Sequence, residues 1–155
     1  MPATKHSRGG KALTDLILSL FQAHGRLLAA GDELVATLGL SSARWQVLGA
    51  LAIAGRPLTV PAIGGIMGLT RQAVQKQVDL LLSDRLIELC PNPAHRRSSL
   101  VALTRAGGRV YSRASHRQIA WANGLATTFD WEDLEAAAGI VRQLATVVAV
   151  KAGTA

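Results

Sequence analysis

Cysteine is nearly absent from this chain of 155 residues. Cys90 stands alone, which excludes an intramolecular disulfide and fits a reducing, cytoplasmic setting. Groups that could carry chemistry are equally scarce. The four histidines, His6, His24, His95 and His116, fall at no metal-ligand spacing with one another or with Cys90. The thiol has no base and orienter evident in the sequence, and the carboxylates gather where helix caps and first turns are expected. Neither an enzyme, a metal site nor a bound cofactor is therefore expected. Hydrophobic residues make up 49% of the chain, yet no apolar run approaches the roughly 20 residues that span a bilayer. Met1 to Lys11 is short, basic and without an apolar segment, so no secretory signal is expected either.

Acidic residues are the other shortage, with 10 against 17 lysines and arginines, a formal net charge of +7. The placement of the excess says more than its size. Between Leu69 and Arg117 nine Lys and Arg (71, 76, 85, 96, 97, 105, 109, 113 and 117) face three acids (79, 84 and 88), so six of the seven net charges lie in that stretch. Such a concentration is the footprint expected of a phosphate-binding face. Charge alone equally fits a basic protein that binds an acidic protein partner.

The same stretch has a readable order. With Thr70 as N-cap, Val74, Val78, Leu81 and Leu82 recur at the i, i+4, i+7, i+8 spacing of one buried helical face, and the helix ends near Asp84. Gln72, Lys76, Asp79 and Ser83 lie opposite, with Gln75 on the flank and Arg71 in the first turn. Amides and a cation on a solvent-facing stripe are the donor and acceptor types that read base edges in a major groove. Any amphipathic helix has a polar back, so the continuation matters. Ile87 and Leu89 alternate with Glu88 and Cys90, and Ser99 to Leu103 forms a second extended run. Pro91-Asn92-Pro93-Ala94 supplies the turn chemistry between them, and His95-Arg96-Arg97 makes a basic tip. The alternation sends Ile87 and Leu89 toward the core and Cys90 away from it, where it reads as an inert surface thiol rather than a redox sensor.

This succession of helix, hairpin and basic tip resembles the winged helix-turn-helix of the MarR family of bacterial transcription regulators. The run from Asn92 to Thr104 looks like that family's wing, in which an Asp two residues before an Arg is typical; Arg97 matches the Arg, whereas His95 stands where the Asp would be. Ser42-Ala43-Arg44-Trp45-Gln46-Val47-Leu48-Gly49-Ala50-Leu51 is similar to the family's second helix, and the resemblance covers almost the whole chain.

Read in order, the chain is expected to open with a disordered basic tail over 1–10 and continue as a single domain over 11–155. Leu13, Leu16, Ile17, Leu20, Phe21, Leu27 and Leu28 recur at helical spacing, with a bend plausible at Gly25 and Gly31. A second helix follows Ser41 or Ser42 and stops at Gly55. Thr59 to Met67, with Pro61 in the first turn, reads as the first helix of a helix-turn-helix, although Gly64-Gly65 is a poor helical pair. Thr104 caps a long helix to about Thr128. Asp130 caps the last, whose Leu134, Ala137, Val141, Leu144 and Val148 form a heptad-like seam. The winged helix-turn-helix then spans about 41–103 and dimerisation helices about 11–38 and 104–151.

The resemblance implies a mainly α fold with a small β-hairpin wing, and a homodimeric, sequence-specific DNA-binding regulator, a repressor released by a small aromatic or amphipathic effector. Arg71, Gln72, Gln75 and Lys76 of the recognition helix, with His95, Arg96 and Arg97 of the wing, are the expected contacts to a pseudo-palindromic duplex. His24, Leu28, Trp45 and His116 are the implied effector-pocket residues. Two other readings fit the same charges: an architectural DNA-coating protein of low sequence preference, and an interaction module for an acidic partner.

Overall fold

A computed structural model describes residues 5–152. The chain groups into two compact units, Met1–Ser115 and His116–Ala155. The first holds α1 (Arg8–Val35), a 3-10 turn (Ala36–Leu38), α2 (Ser42–Ala54), α3 (Val60–Met67), α4 (Arg71–Ser83), strands β1 (Ile87–Cys90) and β2 (Leu100–Leu103), and the start of α5 (Arg105–Ala126). The second holds the end of α5 and α6 (Trp131–Ala152). Mainly helical architecture with one two-stranded antiparallel sheet is the fold class that the sequence pattern predicts.

Two expectations about the first helix are corrected. Part of the predicted tail, residues 1–4, lies outside the described residues, but α1 already begins at Arg8, because the Ser7 hydroxyl accepts from the Gly10 N–H at 3.0 Å and caps it. Nor is α1 interrupted at Gly25 or Gly31; it is continuous helix to Val35. Gly31 is instead where α2 comes closest. A Cβ there would collide with the Ser42 hydroxyl, which donates to the Leu28 carbonyl at 2.8 Å while the Ser42 N–H is held by Asp32 Oδ1 at 2.6 Å.

The core of the first unit is aliphatic: Val35, Val47, Leu48 and Leu51 from the early helices meet Ile63, Val74, Val78, Leu81, Ile87 and Val101. Of the face that spacing predicts for α4, Val74, Val78 and Leu81 are buried and Leu82 is partly buried against the core. In the hairpin Ile87 pairs with Leu103 and Leu89 with Val101. Leu58 adds a further rung, its N–H and carbonyl both bonding Val101, at 3.0 and 2.7 Å. That rung ties the α2–α3 connection to the wing. Ile87 is buried as expected, but Leu89 is 54% exposed. It shares the face of Ile87 and lies opposite the buried Val101, but on the outer strand, since Val101 has Leu58 on its other side.

Thr59 and Thr70 cap α3 and α4 through their hydroxyls, which accept from Ala62 and Ala73 at 3.3 and 3.2 Å. Between the two helices the Leu69 N–H bonds the Gly64 carbonyl at 2.9 Å. The turn folds back so tightly that a Cβ on Gly64 would sit 2.8 Å from the Leu69 carbonyl oxygen, whereas one on Gly65 would meet nothing within 4 Å. The two glycines are thus unequal: the first admits the turn, the second only weakens the helix. At the far end of α4, Leu86 N–H bonds the Leu81 carbonyl and Arg85 N–H the Leu82 carbonyl, both at 3.0 Å. This is the Schellman pattern, with Arg85 at φ 57° in the left-handed position that glycine ordinarily fills.

In α6, Asp130 stands at the N-cap position, its carbonyl accepting from Leu134 at 3.2 Å, and Glu132 and Asp133 occupy the first turn, where the helix dipole favours anions. No described side chain of α6 is buried; Leu134, Ile140, Val147 and Val148 are all exposed.

Urea titration at fixed protein concentration should separate the glycine pair. Gly65→Ala should raise stability by about 1 kcal/mol, the ordinary helical preference for alanine. Gly64→Ala should lower it by roughly 1–3 kcal/mol through overpacking against Leu69. A similar loss or gain in both variants would contradict the assignment of the close approach to Gly64. Arg85→Gly should be stabilising by about 1 kcal/mol, since a left-handed residue with a Cβ costs about that much; an unchanged unfolding midpoint would show that the strain is absent.

Candidate nucleic-acid interface

With its apolar side in the core, α4 turns Arg71, Gln72, Gln75, Lys76 and Asp79 to solvent. The wing stands beside it. Asn92 shapes the tip: its side-chain oxygen accepts from Ala94 N–H at 3.0 Å and its carbonyl from His95 N–H at 3.2 Å, and the chain turns again where Ser98 N–H bonds the His95 carbonyl at 3.0 Å. These turns leave His95, Arg96 and Arg97 exposed.

Between helix and wing lies an open groove of about 500 Å³. Its floor is apolar, with Val60, Pro61, Val78, Leu82, Leu89 and Val101. The rim is polar and carries Arg71, Gln75 and Asp79 from α4 and Arg97, Ser98 and Ser99 from the wing. Three of the expected DNA contacts, Arg71, Gln75 and Arg97, are thereby brought together although up to 26 positions separate them in sequence. On the other flank of α4, Gln72, Gln75, Lys76, Asp79 and Leu80 line a shallower hollow. His95 and Arg96 belong to neither lining; they sit at the exposed tip.

Two polar contacts in this surface lay beyond the sequence reading. The Gln75 amide nitrogen donates to Asp79 Oδ1 at 2.8 Å, a Gln to Asp pair at i, i+4 of the kind that helix geometry brings into register; the spacing alone could have found it. The second is long-range. Arg44 Nη1 of α2 meets Asp84 Oδ2 at 2.7 Å, so an acid at the carbonyl end of α4, where the dipole disfavours it, has a cation beside it. Arg44 stands 40 residues before Asp84 in the chain, a separation that no local pattern signals.

The residues implied for an effector pocket separate. Trp45 lines an apolar cleft of about 440 Å³ with Gln46, Gly49, Ala50, Ile53, Ile66, Met67 and Tyr111. His24 and Leu28 on α1 are outside that lining, and the Leu28 carbonyl is occupied by Ser42. His116 begins the second unit and is exposed. Cys90, on the hairpin face opposite Leu89, is a half-buried free thiol. Among the described residues no cluster of His, Cys, Asp and Glu could hold a metal ion, and no helix is long and apolar enough to cross a membrane.

Known proteins with this arrangement agree in family. The MarR family sequence pattern matches residues 38–98, which run from before α2 through the wing tip. The uncharacterized protein Rv2011c of Mycobacterium tuberculosis is 37% identical over 137 residues, spanning 88% of this chain and 93% of that protein. Sco5413, a MarR family transcriptional regulator from Streptomyces coelicolor, superposes with a TM-score of 0.75 at 25% identity, over 89% of this chain and 96% of that one. A mutant MarR from E. coli solved in complex with operator DNA gives a TM-score of 0.71 at 22% identity, over 86% and 93% of the two chains. That likeness concerns fold. The paired helices α3 and α4, the hairpin wing and these matches together establish that the chain belongs to the MarR family of winged helix-turn-helix transcription regulators.

Proposed function

We propose that the protein is a homodimeric, sequence-specific DNA-binding repressor that recognises a pseudo-palindromic operator. One observation carries this reading: the solvent face of α4 and the wing open onto one groove rimmed by Arg71, Gln75 and Arg97. In this reading α4 enters the major groove, where Gln72, Gln75 and Lys76 meet base edges and Arg71 meets phosphate or a base. Arg97, seconded by Arg96 and His95 at the tip, enters the flanking minor groove, where narrow A·T tracts attract arginine.

The dimer is argued from surface. Leu13, Leu18, Phe21 and Leu27 on α1 and Leu134, Ile140, Val147 and Val148 on α6 are exposed apolar side chains. Soluble monomers seldom expose large apolar patches, and a second copy docked through these helices would cover the apolar side chains on each. Two copies would then present two α4 helices to successive major grooves about one helical turn apart. Release by a small aromatic or amphipathic effector completes the proposal, and the cleft of Trp45, Met67 and Tyr111 has the apolar, aromatic lining such a ligand needs.

Selection from a random duplex library should yield two half-sites centred about 10 bp apart. Recovery of duplexes without any shared pattern would instead favour a low-specificity coating protein, and no duplex binding at low salt would favour an acidic protein partner. Gln72→Ala should relax preference at one position per half-site, by about 1–3 kcal/mol, with the salt dependence unchanged. Arg97→Ala should do the reverse, reducing the slope of log affinity against log salt by about one unit while leaving the bases read by α4 as they were. Interchanged effects in the two variants would refute the division between helix and wing. Sedimentation of Leu134→Arg should show a monomer at concentrations where the parent protein is a dimer, and an unaltered dimer would exclude α6 from the interface.

A further inference from the structure

Asp79 is out of place on a surface that meets a polyanion. It is exposed, it lies on the rim of the helix-wing groove with Arg71 and Arg97, and it also lines the hollow on the other flank with Gln72 and Lys76. Among the described residues its one hydrogen-bonding or ion-pairing partner is neither arginine nor lysine but the Gln75 amide, at 2.8 Å.

That bond constrains the glutamine. A carboxylate only accepts, whereas a glutamine amide has a carbonyl on one side and two N–H donors on the other. Facing Asp79, the amide must turn its nitrogen inward along the helix. One N–H is then engaged, and the carbonyl Oε1 and the second N–H remain, an acceptor beside a donor. Adenine complements that pair in the major groove, with its N6 amino group and N7; guanine, with acceptors at both O6 and N7, does not. An unrestrained glutamine could flip and turn its donors toward guanine, and Asp79 removes that option.

We propose that Asp79 is a specificity-determining residue of the interface: by holding the Gln75 amide in one of its two orientations, it commits this position of the half-site to adenine and against guanine. The inference rests on the reading of α4 as the helix that enters the major groove. Asp79 would thereby trade affinity for selectivity, because its own charge opposes the phosphates.

The test uses the full-length protein and duplexes that vary at one base pair per half-site. Gln75→Ala first locates the position at which base preference collapses. If no position responds, α4 is not the reader there, and the underlying reading falls together with the inference. At the position so found, the parent protein should prefer adenine to guanine by about 5- to 100-fold, the range of a good bidentate contact. Asp79→Ala should tighten binding to all duplexes while cutting the adenine-to-guanine ratio at that position at least about fivefold, and Asp79→Glu, which keeps an acceptor at i+4, should retain most of the ratio. A tighter Asp79→Ala protein with its adenine-to-guanine ratio intact would show that Asp79 acts through charge alone and would overturn the proposal, leaving the major-groove reading standing. Thermal unfolding of both variants should match the parent, because neither Gln75 nor Asp79 is part of the core.

Discussion

The carbonyl of Leu86 is the point on which the winged helix-turn-helix is hung. It accepts from the Thr104 N–H at 3.2 Å and lies 3.0 Å from the Thr104 hydroxyl, which is equally close to the Arg85 carbonyl. The same hydroxyl accepts from Gly107 N–H at 3.0 Å and so caps α5. Gly107 is pressed so closely on this oxygen that any Cβ would overlap it. Leu86 therefore ties four elements: its N–H holds the end of α4 through the Leu81 carbonyl, the chain runs from it directly into β1, and its carbonyl holds Thr104, which follows β2 and caps α5. A hydrogen bond of this kind contributes only about 1 kcal/mol net, but leaving a buried carbonyl without donors costs more. The geometry explains why the wing keeps its angle to α4: both leave the same knot.

From that knot outward, the interface follows from the division of α4 into two faces. Val74, Val78 and Leu81 are committed to packing, and what remains outward is polar by the arithmetic of 3.6 residues per turn. The Leu58–Val101 rung sets the wing beside the start of α3, and Val60 and Pro61 become the groove's inner end. Leu89 escapes burial on the outer strand, opposite the buried Val101, and it adds an apolar side chain to the groove. Part of the positive charge of the stretch from Leu69 to Arg117 lies on the groove's rim, which carries both Arg71 and Arg97.

Much of this was legible in the residues themselves. Thr59, Thr70 and Thr104 announce three helix starts, and each hydroxyl does accept the expected amide. Hairpin alternation and the Pro-Asn-Pro turn located the wing within a residue. What the sequence hid were contacts that depend on tertiary distance. Nothing in local pattern says that Gly31 faces Ser42, that Arg44 pairs with Asp84, or that Leu89 stays exposed opposite a buried Val101. The Gln75–Asp79 pair is a different case. Its spacing was in view, but Asp79 read as one more polar residue until its partner was known to be an amide. The four residues that the family likeness implies for an effector have no common local pattern, and of them Trp45 alone is in the lining of the cleft that holds Met67 and Tyr111.

The separation of packing from recognition on α4 has an evolutionary corollary. Gln72, Gln75, Lys76 and Asp79 support no part of the core, so their replacement is nearly silent for folding, whereas Gly64, Thr104 and Gly107 have almost no acceptable substitutes. Duplicated copies of such a chain can drift freely along the outward stripe while their backbone stays fixed. With α4 as the proposed reader, changes of base preference become reachable by single substitutions, each of which leaves the fold intact.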